Sequence, residues 1–473
     1  MTHILTPDMC VIGAGAGGLS VAAATAAFGV PVVLIEKGRM GGDCLNAGCV
    51  PSKALIAAAK RAHVAGSGGS FGINVGPVGI AYEQVRRHVH DVIAAIAPND
   101  SAARFAGLGV KVLREEARFV DAQTIAAGRW RVKARRFVIA TGSVPHIPDI
   151  PGLDDTPYLT NETVFDLQDC PSHLAIIGAG PAGLELAQAF RRLGAAVTVL
   201  ESAKPLAAED PECADVVLDQ VRRDGVVLRT GVRVTRVART AGGAITISLH
   251  GEDGAVEASH LLIATGRRPF IDGLDVDKAG IRTDPSGILV CRHLRTTNPR
   301  VYAIGDAAGG PQFTHAASHH AGLIARNALF RLPIVLRDDS IPRVTFTDPE
   351  LAHVGLTESL ARQRHRDIRI LRWPFYENDR AQTERDTRGH VKIITTPRGK
   401  ILGATIVGAQ AGELVSGWAL AVSQGLNIRA MAGVVLPYPT RAEAGKRAAI
   451  DFFVPRLTSP LLRRIIGVLR LFG

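Results

Sequence analysis

Short apolar runs followed by glycine clusters recur along the chain, and each predicts a strand that ends in a tight turn. Cys10-Val-Ile leads into Gly-Ala-Gly-Ala-Gly-Gly-Leu and then an alanine-rich stretch that reads as a helix. Val32-Val-Leu-Ile predicts the next strand, which stops at Glu36. The same unit returns at Ala175-Ile-Ile-Gly-Ala-Gly-Pro-Ala-Gly-Leu, and its following strand, Val197-Thr-Val-Leu, stops at Glu201. Val138-Ile-Ala-Thr-Gly-Ser and Leu262-Ile-Ala-Thr-Gly-Arg read as strands that close each unit. Val301-Tyr-Ala-Ile-Gly-Asp adds a third glycine turn. Strands alternating with helices in this order predict an α/β fold.

The glycine spacing carries chemistry. Gly13 and Gly178 permit the tight turn, Gly15 and Gly180 let backbone approach a pyrophosphate, and Gly18 and Gly183 let helix and strand pack closely. The phosphates then meet the unpaired N–H groups of a helix N-terminus. Glu36 and Glu201 fall where a ribose hydroxyl needs an acceptor. One such motif is weak evidence. Two complete ones imply two Rossmann-type domains and two nucleotides, FAD first and a nicotinamide second. A carboxylate at 201 accepts from a free 2′-hydroxyl and repels a 2′-phosphate, so NADH is expected rather than NADPH, with Lys204 and Arg229 nearby. Thr141, Gly142 and Gly266 mark the strand ends that border the nucleotides. Gly305 and Asp306 would bring a carboxylate to the flavin's sugar chain.

Between these units lies Gly41-Gly-Asp-Cys-Leu-Asn-Ala-Gly-Cys-Val-Pro-Ser-Lys53. Cys44 and Cys49 are close enough on a slightly distorted helix for their sulfurs to meet. Such a pair stores two electrons as dithiol or disulfide. Beside a nucleotide fingerprint it implies a redox enzyme rather than a binding module.

Composition narrows the class further. The chain has 473 residues, 47% hydrophobic and 21% charged, as in an ordinary soluble enzyme of several domains. No apolar run reaches the ~18–20 residues that span a bilayer, and the N-terminal residues lack signal-peptide features. A cytoplasmic location is expected. The net charge is +11, but the arginines are scattered, so no nucleic-acid partner is expected. Cys10 sits in an apolar strand and reads as a core residue, while Cys170, Cys213 and Cys291 have no partner in sequence.

These residues resemble the flavoprotein disulfide reductases with two dinucleotide-binding domains, which include dihydrolipoamide dehydrogenase, glutathione reductase and mercuric reductase. The resemblance runs from Cys10 to about Ala449. It implies FAD, a homodimer, and two Rossmann-type domains plus a C-terminal α+β dimerisation domain. The expected divisions are an FAD-binding domain with the cysteine pair at 1–145, an NAD(P)-binding domain at 146–270, a central domain completing the FAD site at 271–338, an interface domain at 339–455, and a tail at 456–473. By the same resemblance Cys49 would be the charge-transfer thiol facing the flavin, and Cys44 the interchange thiol. Lys53 would lie near the flavin N5 and pair with Glu185, and Asp306 would bind the ribityl chain.

The C-terminal region departs from the disulfide-reducing members. Where they carry His-Pro-Thr-x-x-Glu, this chain has Tyr438-Pro-Thr-Arg-Ala-Glu443. A phenol with a pKa near 10 is a poor proton shuttle at neutral pH. Mercuric reductases resemble the chain here, since they also place Tyr at that point. They also use a C-terminal cysteine pair, whereas this chain carries no cysteine after Cys291, so the usual mercury relay is not expected. The expected acceptor is a small molecule or a thiol-bound species. His315 and His319 read as lining the flavin region, and no metal site is assigned. Arg380 and Glu384 read as a structural ion pair or a dimer contact. Apolar residues at 461, 462, 465, 466, 469 and 472, with Arg463, Arg464 and Arg470, predict a short basic amphipathic helix. Such a helix suits either peripheral membrane contact or packing on the protein's own surface.

Overall fold

Met9–Ile12, Val32–Ile35 and Arg136–Ile139 are short parallel strands with almost entirely buried side chains, and Lys111–Leu113 is the partly exposed parallel strand at the sheet's edge. Runs of this kind, apolar on both faces, suit a sheet covered on both sides. The computed structural model describes residues 3–251, 254–457 and 459–472. These fall into two units, Met1–Ser202 with Val227–Asp338, and Ala203–Val226 with Asp339–Gly473.

In the first unit, helix α1 (Ala16–Ala27) follows the first strand, and the short α2 (Gly42–Asn46) and the longer α3 (Cys49–Gly66) follow the second. The second dinucleotide fold repeats the plan. His173–Ile177 pairs in parallel with Ala196–Glu201 and His260–Ile263, and Val227–Thr230 extends the sheet. Its helix α4 (Pro181–Arg192) packs against α3. The helix α5 (Pro211–Arg223) belongs to the second unit. The chain then returns to the first sheet: Val301–Ala303 lies beside Arg136–Ile139, and helix α6 (Thr314–Phe330) packs on α1. One sheet is therefore assembled from residues almost 300 apart in sequence, which brings the Gly305–Asp306 turn to the first nucleotide fold.

The second unit is built on a five-stranded antiparallel sheet, Arg343–Thr345, Glu350–Gly355, Ile401–Gly408, His390–Thr395 and Arg369–Pro374 in spatial order. Lys392, 3% exposed, ties α5 to this sheet: its Nζ is 2.8 Å from Asp210, 2.9 Å from Glu358 and 3.0 Å from Glu212. A buried ammonium is tolerated only when surrounded by carboxylates in this way. Arg380 pairs with Glu384 at 2.6 Å, and the buried Arg441 reaches Glu384 at 2.8 Å. The tail forms helix α7 (Pro460–Leu469), capped by the Ser459 side chain and burying none of its described residues. Thr458 and Gly473 of the tail lie outside the described residues. No described helix is long and apolar enough to cross a membrane.

Candidate active site

The first fingerprint turns at Gly13, whose φ of +100° disfavours any other residue. A Cβ there would stand 2.4 Å from the Ala140 carbonyl oxygen, and one on Gly18 would stand 1.9 Å from the Gly13 oxygen. Gly15 caps α1 and has open space on its Cβ side, the nearest atom being 3.9 Å away. Glu36 accepts from the Ala14 and Gly38 amides, both at 2.6 Å. The second fingerprint matches it. A Cβ on Gly178 would be 2.4 Å from the Ala264 oxygen and one on Gly183 2.1 Å from the Gly178 oxygen, whereas Gly180 faces open space. Glu201 accepts from the Ala179 amide at 2.8 Å.

These features fit two nucleotides. Each cradle is open at the glycine where a phosphate would approach, and each helix N-terminus offers unpaired amides. Thr141 Oγ1 is buried with no protein partner among the described residues, as suits a group that bonds to a cofactor. Asp306 lies on the Gly305 turn. Burial pushes its carboxyl up, and the Ser143 hydroxyl, donating to Oδ2 at 2.5 Å, works the other way. The turn is pinned by His320 Nδ1, which accepts from the Gly305 amide at 3.2 Å. His320 is 1% exposed, and burial lowers its pKa to about 4, so the ring is neutral with its proton on Nε2.

The cysteines are brought together by a break in the helix rather than by a distorted turn. α2 ends at Asn46, and α3 begins at Cys49, so Cys44 and Cys49 lie on either side of Gly48. Both are free thiols, and each acts on the other's ionisation. Interaction with Cys44, helped by Thr314 and Lys53, lowers Cys49 to about 6 against the opposing effect of burial, while interaction with Cys49 and burial push Cys44 up. The pair thus shares one proton, held on Cys44. Thr314, the first residue of α6, places its hydroxyl 3.5 Å from Cys49 Sγ. Lys53, one turn along α3, meets Glu185 of α4 at 2.8 Å, with Glu185 6% and Lys53 35% exposed. The loop before α2 folds back on the first fingerprint: Gly41 N–H bonds to the Ala14 oxygen at 2.9 Å, and a Cβ on Gly42 would stand 2.7 Å from the Gly15 Cα.

Gly142 and Gly266, with φ of +71° and +113°, end the two Ala-Thr-Gly strands. The segments beyond them, Ser143–Pro145 and Arg267–Pro269, pair antiparallel. In the second unit Tyr438 is 71% exposed and its hydroxyl donates to Asp379 at 2.9 Å, which pushes its pKa up. Glu443 accepts from the Thr440 amide at 3.4 Å. His315 stacks on Phe313 at 5.3 Å, and no cluster of three metal-binding side chains occurs among the described residues. Sequence reasoning missed Asp43, Asn161, Ser143, Arg267 and Thr314. Ser143 and Arg267 each follow a Thr-Gly pair, and that repetition was the one available signal.

The pyridine nucleotide-disulphide oxidoreductase family matches residues 7–321, and its dimerisation domain matches residues 341–449. The chain is 37% identical over 455 residues to a mercuric reductase of Streptomyces lividans, covering 94% of this chain and 96% of that protein. It is 33% identical over 453 residues to a dihydrolipoyl dehydrogenase of Bacillus subtilis (strain 168), covering 94% and 98%. The Cu(II) complex of the HOCl-induced flavoprotein disulfide reductase RclA from Escherichia coli matches with a TM-score of 0.83 at 26% identity, covering 93% of this chain and 98% of that one. The dimerisation domain supports a homodimer. The chain belongs to the pyridine nucleotide-disulphide oxidoreductase family and is an enzyme that uses FAD and a pyridine nucleotide.

Proposed function

We propose that electrons pass from NADH through FAD to Cys44 and Cys49, and from these to a thiol-bound metal ion or another small acceptor. FAD, when bound, takes up hydride and releases two electrons onward. The chain supplies orientation and a poised thiol pair. A Cys44–Cys49 disulfide with two electrons and two protons gives two thiols. At neutral pH Cys49 gives up its proton and Cys44 keeps the one they share. Cys49 then serves as the thiolate facing the flavin, and Cys44 as the thiol that exchanges with the acceptor once its proton has passed to the Cys49 thiolate, because only a thiolate exchanges. Lys53, fixed by Glu185, supports the Cys49 charge. Asp306, with Thr141 and the glycine cradle, holds the flavin, while Gly266 and Glu201 border the nicotinamide nucleotide. The observation that carries this reading is the placing of two free cysteines on either side of the break at Gly48, with Thr314 and the Lys53–Glu185 pair beside Cys49.

Tyr438 favours a metal-like acceptor over a disulfide. Its hydroxyl is bound to Asp379 and its pKa lies above the usual phenol value, so it holds its proton at neutral pH. A disulfide acceptor needs a proton for its leaving thiolate, whereas a metal ion held by two thiolates needs only electrons. The relatives include both mercuric reductases and dihydrolipoyl dehydrogenases. We propose the domain divisions at 1–145, 146–270, 271–338 and 339–455; the second dinucleotide sheet supports the second and the five-stranded antiparallel sheet the last, while Val301–Ala303 of the third completes the sheet of the first. The test is anaerobic: reduce with NADH and follow reoxidation by thiol-chelated Hg(II) and by oxidised lipoamide in parallel. Fast reoxidation by Hg(II) alone is expected, and fast reoxidation by lipoamide would overturn the choice of acceptor.

A second proposal concerns the tail. Leu461, Leu469 and Phe472 are 70%, 61% and 83% exposed, and Arg463, Arg464 and Arg470 accompany them with no acid. An apolar face flanked by arginines suits an anionic membrane surface. Cosedimentation with anionic vesicles is expected for the full chain and lost when residues 458–473 are removed. Equal cosedimentation of both would overturn it.

A further inference from the structure

The side chains beside the cysteine pair and beside Asp306 form one connected path that the proposal above does not use. Asp43 precedes Cys44 in α2. Its Oδ1 accepts from Asn161 Nδ2 at 3.0 Å and lies 3.3 Å from Arg267 Nη2. Its Oδ2 lies over the break between the cysteines, where a Cβ on Gly48 would stand 2.7 Å from it. Asn161 Nδ2 also donates to the Ala47 carbonyl at 3.0 Å, so both ends of this short turn are held. Arg267 continues the path. Its Nε donates to Ser143 Oγ at 2.7 Å and its Nη2 to the Ser143 carbonyl at 2.9 Å. Ser143 Oγ in turn donates to Asp306 Oδ2 at 2.5 Å. A planar, permanently charged guanidinium is suited to hold several acceptors in fixed directions at once, which a lysine is not.

We propose that Arg267 is a positioning residue that joins the thiol pair to the flavin-side carboxylate, clamping Asp43 over the Cys44–Cys49 break and offsetting its negative charge at the sulfurs. The inference rests on the reading of Cys44 and Cys49 as the redox pair. The groups that face Cys49 are Cys44 and Asp43 from α2, Lys53 from α3 with Glu185 of α4 behind it, and Thr314 from α6, whose exposed first turns also carry His315 and His319. Asp43 is the carboxylate among them that opposes ionisation at both sulfurs. Removing Arg267 leaves that charge uncompensated. Removing the Asp43 charge does the reverse. A merely structural role for the path would give no such opposition of sign.

The test is the pH dependence of iodoacetamide alkylation of the reduced, flavin-loaded protein, with mass spectrometry identifying which cysteine is modified. The wild-type midpoint for Cys49 is expected near 6. Arg267→Gln should raise it by about one pH unit, Asp43→Asn should lower it by a similar amount, and the double variant should return towards wild type. Arg267→Lys, which keeps the charge, should raise it less than Arg267→Gln. Retained flavin absorbance certifies the fold of each variant. Should Arg267→Gln fail to keep its flavin, Arg267→Lys decides instead, a raised midpoint supporting the assignment and an unmoved one overturning it. A wild-type midpoint in the ordinary cysteine range would overturn the redox-pair reading itself. A low wild-type midpoint with both single variants shifting the same way would overturn the role of Arg267 and leave the pair standing.

Discussion

In the first dinucleotide fold a Cβ on Gly13 would meet the Ala140 oxygen at 2.4 Å, and in the second a Cβ on Gly178 would meet the Ala264 oxygen at the same distance. Glu36 binds the amide 22 residues before it, and so does Glu201. After the terminal acid the two diverge. The first chain reaches Gly41 and Gly42 within six residues and lays them on Ala14 and Gly15, so that α2 and Cys44 start from the floor of the nucleotide cradle. The second chain passes into Ala203–Val226, which belongs to the other unit. The shared motif builds a cradle, and the segment that follows decides whether a reactive group stands beside it. The largest effect should come from closing one cradle at a time. Gly18→Ala puts a methyl 1.9 Å from a backbone oxygen that has no room to move. It should abolish flavin binding and cost at least ~4 kcal/mol of stability. Gly183→Ala should retain flavin, read by absorbance of the purified protein, and lose nicotinamide binding, read by calorimetry. Equal loss of flavin in both variants would mean that the two cradles are not separate sites.

The next effect tests the contact that joins the two folds. Lys53→Met leaves Glu185, 6% exposed, without its ion-pair partner at 2.8 Å. Removing the ammonium from a buried carboxylate costs about 3 kcal/mol, at the low end of the range because Lys53 is partly exposed. Glu185→Gln keeps a neutral acceptor and should cost about 1 kcal/mol. Denaturant titration of the flavin-loaded protein separates the two. Equal losses would place the stabilising interaction elsewhere.

Much of this site was legible because its parts are local. Each fingerprint needs glycine at positions fixed by backbone geometry, and the cysteine motif spans a few residues. The parts that were not legible depend on pairings across long distances. Arg267 and Ser143 meet because two strands pair 124 residues apart, and neither carries a motif of its own. The helix break at Gly48 replaced the expected distorted helix because the backbone leaves the helical region at Ala47 (φ −148°) and Gly48 (φ −121°, ψ −112°) before α3 begins. Buried Lys392 gave no sign in sequence that three carboxylates would converge on it.

A smaller effect sharpens the comparison at the third glycine turn, which only the first cradle has. His320 accepts from the Gly305 amide and its pKa is lowered to about 4 by burial, then by His319. A group whose folded pKa lies below its unfolded value near 6.5 binds more protons when unfolded over the interval between the two. Its contribution is therefore complete above pH 6.5 and is lost as the pH falls towards 4. Flavin retention and Tm should both decline over that window, and His320→Gln, which cannot be protonated, should flatten the decline while lowering Tm at neutral pH. An unchanged slope in the variant would assign the acid sensitivity to other groups.

The smallest effect concerns the paired acids themselves. Glu36 and Glu201 make the same bond to the fingerprint amide, so substitution at either loosens its own cradle in the same way. What differs is the ligand each faces in the proposed assignment. Glu201 would meet the ribose whose 2′-substituent separates NADH from NADPH, and Glu36 the ribose of FAD, which has no phosphorylated counterpart to reject. The ratio of kcat/KM for NADH to that for NADPH cancels the general loosening and keeps only the discrimination. Glu201→Ala should lower this ratio by about tenfold, or ~1.4 kcal/mol, because the repulsion of a 2′-phosphate is removed together with the acceptor for the hydroxyl. Glu36→Ala should weaken flavin binding and leave the ratio where it was. If the ratio is insensitive to Glu201, the preference is set elsewhere on that sheet, with Arg229, opposite Leu200 on the neighbouring strand, the next residue to change.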